Sequence, residues 1–213
     1  MSLSKISFVN QVGGSSTFEV VSEGHIKKDI KGNEAYFFLN KPHRLDQITP
    51  RGCIIMVDNQ HHVSSEACQN CRRSAEQGTL PVQKKTYVIM EDMTQKMVNP
   101  IILDLKLGNR QYGDTAGPEK IALMIARCAA STSAVWAVRV GGCRMNGEEI
   151  TKQDGRTMTY KQMEALILSV FATDALKQKG IKLLKEIELV LEEADSLRLF
   201  GASMLIIVDQ SGL

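Results

Sequence analysis

Residues 100–108 read PIILDLKLG, and this stretch restricts the fold more than any other. A proline entry, a run of β-branched and leucine side chains and a glycine stop describe a strand. Strand side chains alternate between faces, so Leu103, Leu105 and Leu107 share one face and Asp104 and Lys106 the other, with the acid and base ~7 Å apart. The leucine face should meet a core. The charged face fits a solvated ion pair on a half-exposed strand, or a site. The preceding strand, TYVIMEDM, ends on Glu91 and Asp92, and the following loop, GNRQYGD, brings Arg110 and further glycine close to Lys106. Cations beside glycine N–H groups suit a phosphate, and a carboxylate nearby suits a ribose hydroxyl or a metal ion.

Around this strand the chain alternates short apolar runs and helical patterns. ISFVNQVGG and STFEVV read as strands about a glycine turn over residues 12–16. GHIKKDI reads as a short strand, and a helix follows from an N-cap at Asn33, with Ala35, Phe38 and Leu39 at helical spacing. GCIIMV is another strand. Residues 59–85 are polar and without periodicity, the pattern of a loop or partly ordered insert. Residues 118–130 suit an amphipathic helix through Ile121, Leu123, Met124, Ile125 and Ala129, with Pro118 in its first turn and Glu119 at its positive end. VWAVRVGGCRM is a strand. TYKQMEALILSVF is a helix capped by Thr159 and Gln162. Residues 174–201 form one long helix or two, broken at Gly180, and ASMLIIVD is a last strand. Strands and helices are partly segregated, so the class is α+β. The polar insert and the MEDM segment predict two lobes, residues 1–92 and 93–213.

With 213 residues the chain can bury a sizeable core, and its net charge of +2 demands no nucleic-acid partner. Five cysteines without a secretory leader, and no apolar run of membrane length, predict a reduced, soluble, intracellular protein. The Walker pattern for a P-loop is absent. His61, His62, Cys68 and Cys71 cluster in HHVSSEACQNC, which admits a structural zinc site as well as a reduced polar loop. Cys128 and Trp136 read as core, and Cys143 as a strand-end thiol without a base to activate it.

PIILDLKLG also carries the P-x-x-x-D-x-K-x-G signature, and the chain resembles the inositol polyphosphate kinase family. DLKLGNRQYGD, the cluster Ser131-Thr132-Ser133 and the strand from Ala137 to Gly142 are most similar to the inositol hexakisphosphate kinase branch. Ala137 stands where that branch usually has glycine. FVNQVGG and GASMLIIVD extend the likeness from Phe8 to Asp209.

The resemblance implies a two-lobed, protein-kinase-like fold, an antiparallel sheet in the N-lobe and a mixed α+β C-lobe. It implies transfer of the γ-phosphate of ATP, with Mg²⁺, to a soluble inositol polyphosphate, inositol hexakisphosphate foremost, giving a pyrophosphate. Lys106 would be the catalytic lysine and touch the inositide. Asp104 would hold the ribose. Glu91 and Met93 would meet adenine through their backbone. Lys28 would bridge ATP phosphates and Glu34, with Lys27 a rival for that place. Arg110, Lys120 and Arg127 would bind inositide phosphates, with Arg144 a further candidate. A cytoplasmic and nuclear monomer is expected, without membrane insertion.

The chain also departs from the family. Serine replaces the histidine that usually follows the Gly-Gly turn. No Asp-Phe pair occurs, although relatives carry a metal-binding D-F-x motif after the last strand read here. The metal ligand is therefore unassigned, and the C-lobe reads as shortened at its end. A binding-only relative and a zinc-stabilised interaction domain are the alternatives.

Overall fold

A computed structural model describes residues 11–12, 18–22, 24–30, 32–57, 60–64, 67, 69–77, 86–194 and 197–210. The strand expected before the first glycine turn lies outside them, as does most of the turn itself. The chain divides into two compact units, one built mainly from Ser15–Gln95 with Val190–Ala194, the other from Lys96–Leu189 and Asp195–Leu213.

In the first unit β1 (Phe18–Ser22), β2 (His25–Asp29), β3 (Gly52–Val57), β4 (Gln60–Val63) and β5 (Tyr87–Glu91) form an antiparallel sheet in the order β1-β2-β5-β3-β4. Both faces are covered, which is why β3 and β5 read as continuous apolar runs. Ala35 and Phe38 of helix α1 (Gly32–Asn40) pack on Ile26, Ile55, Val88 and Met90. Ala67 and Cys71 pack on the other face, against Cys53, Ile54, Met56, Tyr87 and Ile89. Helix α1 starts one residue before Asn33, which therefore lies inside it rather than at the cap. The expected loop at 59–85 is corrected in two places, because it holds β4 and helix α2 (Gln69–Glu76). Of the α2 side chains described, only Cys71 is buried, so this helix carries no apolar stripe for a periodicity argument to find.

The second unit is a four-stranded antiparallel sheet of β6 (Pro100–Leu107), β7 (Val138–Met145), β8 (Glu148–Ile150) and β9 (Ser203–Asp209), ordered β8-β7-β6-β9. Its helices are α3 (Pro118–Ala129), α4 (Ser133–Trp136), α5 (Lys152–Thr157), α6 (Tyr160–Val170) and α7 (Asp174–Glu192) up to Leu189. Ile101, Leu103 and Leu105 pack with Val140, Cys143 and the α6 residues Met163, Leu166 and Val170. Thr159 accepts from the Gln162 N–H while the Gln162 side chain accepts from the Thr159 N–H, the expected capping box. Thr151 and Asp154 make a second one at the start of α5.

Five further expectations change. The strand beginning at Val135 starts instead at Val138, because residues 133–136 are helical. Gly180 does not break α7; a Cβ there would lie 2.6 Å from the Phe171 ring, so the glycine admits that ring. Trp136 is 51% exposed and stacks on Tyr160 at 4.3 Å rather than entering the core. Leu123 and Ile125 of α3 are exposed, and only Cys128 of that helix is buried. Cys143 is core rather than strand-end, and burial pushes its thiol up to about 11.

Ala137 is left-handed, with φ 51°, and its carbonyl accepts from the Gly108 N–H at 2.6 Å. A Cβ is strained there, as a glycine would not be. Ala137→Gly is expected to raise stability by roughly 1 kcal/mol in urea unfolding.

Candidate active site

In the second unit β6 is an inner strand between β7 and β9, and on its charged face Asp104 is buried while Lys106 is part-exposed. Asp104 is only 5% exposed, and its Oδ1 has no hydrogen-bond partner among the described residues. The register opposite it shifts: Asp104 pairs with Gly142 and Leu105 with Val140, leaving Gly141 as a bulge. A Cβ on Gly141 would lie 2.7 Å from Asp104 Oδ2. The bulge and the glycine together make room for the carboxylate. A buried acceptor without a donor is costly, and a ligand hydroxyl would satisfy it.

Lys106 pairs with Arg139 across β7 and with Ser203 across β9. Its Nζ donates to Ser203 Oγ at 2.6 Å and to the Gly201 carbonyl at 3.2 Å. Gly108, with φ +82°, turns the chain just beyond it. Arg139 is 3% exposed; Nη2 donates to Gln111 Oε1 at 2.8 Å, while Nε and Nη1 have no partner among the described residues. Burial first, then Arg156, lowers the affinity of this guanidinium for its proton, while Asp104 acts in the opposite sense.

Helix α5 adds cations. A Cβ on Gly155 would lie 2.2 Å from the Val140 carbonyl oxygen, so the glycine is what lets α5 lie against β7. Lys152 and Arg156 flank that contact on the same helix. Burial, then Arg156, Lys106, Arg139 and Arg127, holds the Lys152 ammonium below the usual lysine value. Cations from four elements, Lys106, Arg127, Arg139 and Arg156, thus act on Lys152, and the buried Asp104 carboxylate acts on Arg139.

Of the residues named from sequence, Asp104, Lys106 and Arg127 belong to this group. Lys120 is exposed on the same helix as Arg127. Arg110 pairs with Asp114 and lies 4.1 Å over the Phe200 ring, and Arg198 holds Asp114 from the other side at 2.9 Å. Arg144 lies 3.6 Å from Glu149. Arg139, Lys152 and Arg156 were not singled out from sequence. For Arg139 the signal was there, a charge inside an otherwise apolar strand. For Lys152 and Arg156 only the Thr-x-x-Asp cap pattern marked the helix that carries them.

In the first unit Lys28 on β2 forms an ion pair with Glu34 in the first turn of α1. Its neighbour Lys27 points to the opposite face, 2% exposed, where it meets Glu19 at 2.9 Å and lies 5.3 Å over the Tyr87 ring. Strand alternation thus gives the two lysines different surroundings. Lys28→Met is expected to cost little stability, because the pair is part-exposed, whereas Lys27→Met should cost roughly 2 kcal/mol; urea unfolding separates them. Glu91 ends β5 with its side chain exposed, and Met93 is 54% exposed in the turn that follows. That turn is fastened by Asp92, whose Oδ1 accepts from the Thr94 N–H at 2.9 Å and hydroxyl at 2.7 Å.

The chain is similar to known proteins in sequence and in fold. The family description "Inositol polyphosphate kinase" matches residues 87–212. The human protein named inositol hexakisphosphate kinase 2 is 33% identical over 134 residues, which is 58% of this chain and 32% of that protein. Inositol hexakisphosphate kinase 1 of Saccharomyces cerevisiae is 31% identical over 135 residues, 58% of this chain and 13% of that one. The chain spans about a third of the length of the first of these. Among solved structures, inositol phosphate multikinase Ipk2 of S. cerevisiae, in complex with ADP and Mn²⁺, superposes with a TM-score of 0.63 at 20% identity, over 87% of this chain and 74% of that one. With more than half its residues matched, from β5 through β9, the chain belongs to the inositol polyphosphate kinase family.

Proposed function

We propose that this chain transfers the γ-phosphate of ATP to a soluble inositol polyphosphate, inositol hexakisphosphate before others, forming a pyrophosphate. The observation that carries the reading is the cation group of the second unit. Lys106, Arg127, Arg139, Lys152 and Arg156 form one group: burial first, and then the other four cations, loosen the hold of Lys152 on its proton. A chain with net charge +2 gains nothing in stability from such crowding; a dense polyanion would relieve it.

Each residue then has a task. Arg139, Lys152, Arg156 and Arg127 fix the inositide phosphates. Lys106 places its ammonium on the transferring phosphoryl group, where negative charge is spread over the equatorial oxygens. An oxygen of the acceptor phosphate attacks the γ-phosphorus, and the bond to the ADP oxygen breaks. That acceptor is already anionic, so no side chain need act as base. Asp104 accepts from a ribose hydroxyl, which pairs its buried oxygen. Lys28, oriented by Glu34, takes nucleotide phosphate, and the backbone near Glu91 and Met93 takes adenine. A magnesium ion, when bound, would neutralise phosphate charge. It needs only one or two carboxylates beside phosphate oxygens and waters; with Asp104 given to the ribose, none of the described carboxylates is assigned to it. No described helix is long and apolar enough to cross a membrane.

The cation reading has a pH signature. Lys152 binds its proton less tightly in the fold than in the unfolded chain. Between its folded and ordinary values the free protein therefore carries fewer protons, and stability rises with pH across that window. A bound polyanion restores the proton. Calorimetry in buffers of different ionisation enthalpy, at alkaline pH, is expected to show proton uptake with inositol hexakisphosphate and affinity falling as pH rises. Lys152→Met should remove the uptake and weaken binding roughly tenfold to a hundredfold. Unchanged affinity in that variant would sink this assignment.

A further inference from the structure

Outside the kinase site, the first unit holds a second group of reactive side chains. His25 of β2, Cys53 of β3 and Cys71 of α2 come together, with their nitrogen and sulfur atoms all within 4.8 Å of one another. Sequence alone grouped Cys71 with Cys68, His61 and His62. Cys68 lies outside the described residues, His61 Nε2 lies 3.3 Å from the Tyr87 hydroxyl, and His62 is exposed. Cys71 instead meets partners far away along the chain.

Two sheet irregularities build the group. The β3–β5 register slips between Gly52 and Ile54, so that Cys53 and Ile54 both belong to the cluster on the α2 face. The β1–β2 register slips between Val20 and Ser22, next to His25. Bulges of this kind re-aim side chains. Ser22 Oγ lies 3.4 Å from His25 Nδ1, a hydroxyl placed to hold the ring.

We propose that His25, Cys53 and Cys71 bind a zinc-class divalent ion that fastens α2 to the sheet. The chemistry fits: two sulfurs and an imidazole are a zinc donor set, with bonds of about 2.3 Å to sulfur and 2.0–2.1 Å to nitrogen. Tetrahedral bonds of those lengths put donors about 3.5–3.8 Å apart, so inward movement of about 1 Å closes the site. On binding, the two thiols release their protons to solvent and ligate as thiolates. Solvent or an added donor takes the fourth position. Helix α2 supplies the second argument. It has eight residues, QNCRRSAE, with Cys71 the one buried side chain described. A helix this short is marginal without tertiary anchoring, and Arg72 already ties its start to the Ala67 and Ser64 carbonyls.

The test uses the full chain, purified anaerobically without chelator and freed of any histidine tag. Metal analysis is expected to find about one zinc per chain. Exchange with Co²⁺ should give tetrahedral d–d bands and a thiolate-to-cobalt charge-transfer band. These should be lost in Cys53→Ser, Cys71→Ser and His25→Ala, and kept in Cys143→Ser. Chelation should lower the melting temperature of the wild type only. Circular dichroism checks folding, and His25→Ala, at a half-exposed position, carries the test if a serine variant unfolds. Substoichiometric metal, a cobalt spectrum without the thiolate band, or a Cys53–Cys71 disulfide in the purified chain would overturn the proposal. Every one of these readings is independent of kinase activity.

Discussion

Lys106→Met is expected to lower phosphoryl transfer by at least ~10²–10³-fold, the cost of removing one preorganised donor from a developing charge. Methionine keeps the alkyl stem and deletes the ammonium. The structural loss includes the bonds to Ser203 and Gly201, worth roughly 0.5–1.5 kcal/mol each, so the variant should fold. Lys106→Arg should not rescue it, because a planar fork cannot replace a compact, mobile point charge. The expected kinetic pattern is a fall in kcat with a smaller change in KM, since the interaction grows as charge moves onto the transferring oxygens. A variant with wild-type kcat would remove Lys106 from the reaction.

The largest stability effect is expected at a residue that touches no ligand. Gly155→Ala would set a Cβ 2.2 Å from the Val140 carbonyl oxygen and 2.9 Å from its carbon. Both atoms are backbone in an inner strand, so they cannot swing aside. Either α5 lifts off β7 or the strand distorts, at a cost of roughly 3 kcal/mol or more. Lys152 and Arg156 ride on that helix, so inositide affinity should fall with stability. Gly113→Ala is the control: a Cβ there meets nothing within 4 Å, and the change should be within ~1 kcal/mol of neutral. Urea unfolding measures both.

Much of this was legible in the chain, and the part that was not has a common cause. The alternation in PIILDLKLG placed Asp104 and Lys106 on one face correctly, because strand period is local. It left the burial of that face undecided, because burial depends on what packs over the sheet from elsewhere in the chain. Thr159 and Gln162 were readable because a capping box is written within four residues. Helix α2 was not, since its buried side is one cysteine and its polarity matches a loop. The His25–Cys53–Cys71 group could not be read at all; it exists only once β2 and β3 flank β5 and two bulges turn the side chains. Arg139 is the instructive omission, because a lone charge in an apolar strand is itself a signal, and its unpaired donors now sit beside the residues that the signature identified.

The measurement that bears most directly on the account is a turnover assay of the chain with Mg²⁺, ATP labelled on the γ-phosphate, and a panel from inositol trisphosphate to inositol hexakisphosphate. The account predicts label in a pyrophosphate of inositol hexakisphosphate, lost in Lys106→Met. Inositol hexakisphosphate bound but no acceptor labelled would contradict it, and would leave a unit that gathers a polyanion without transferring phosphate.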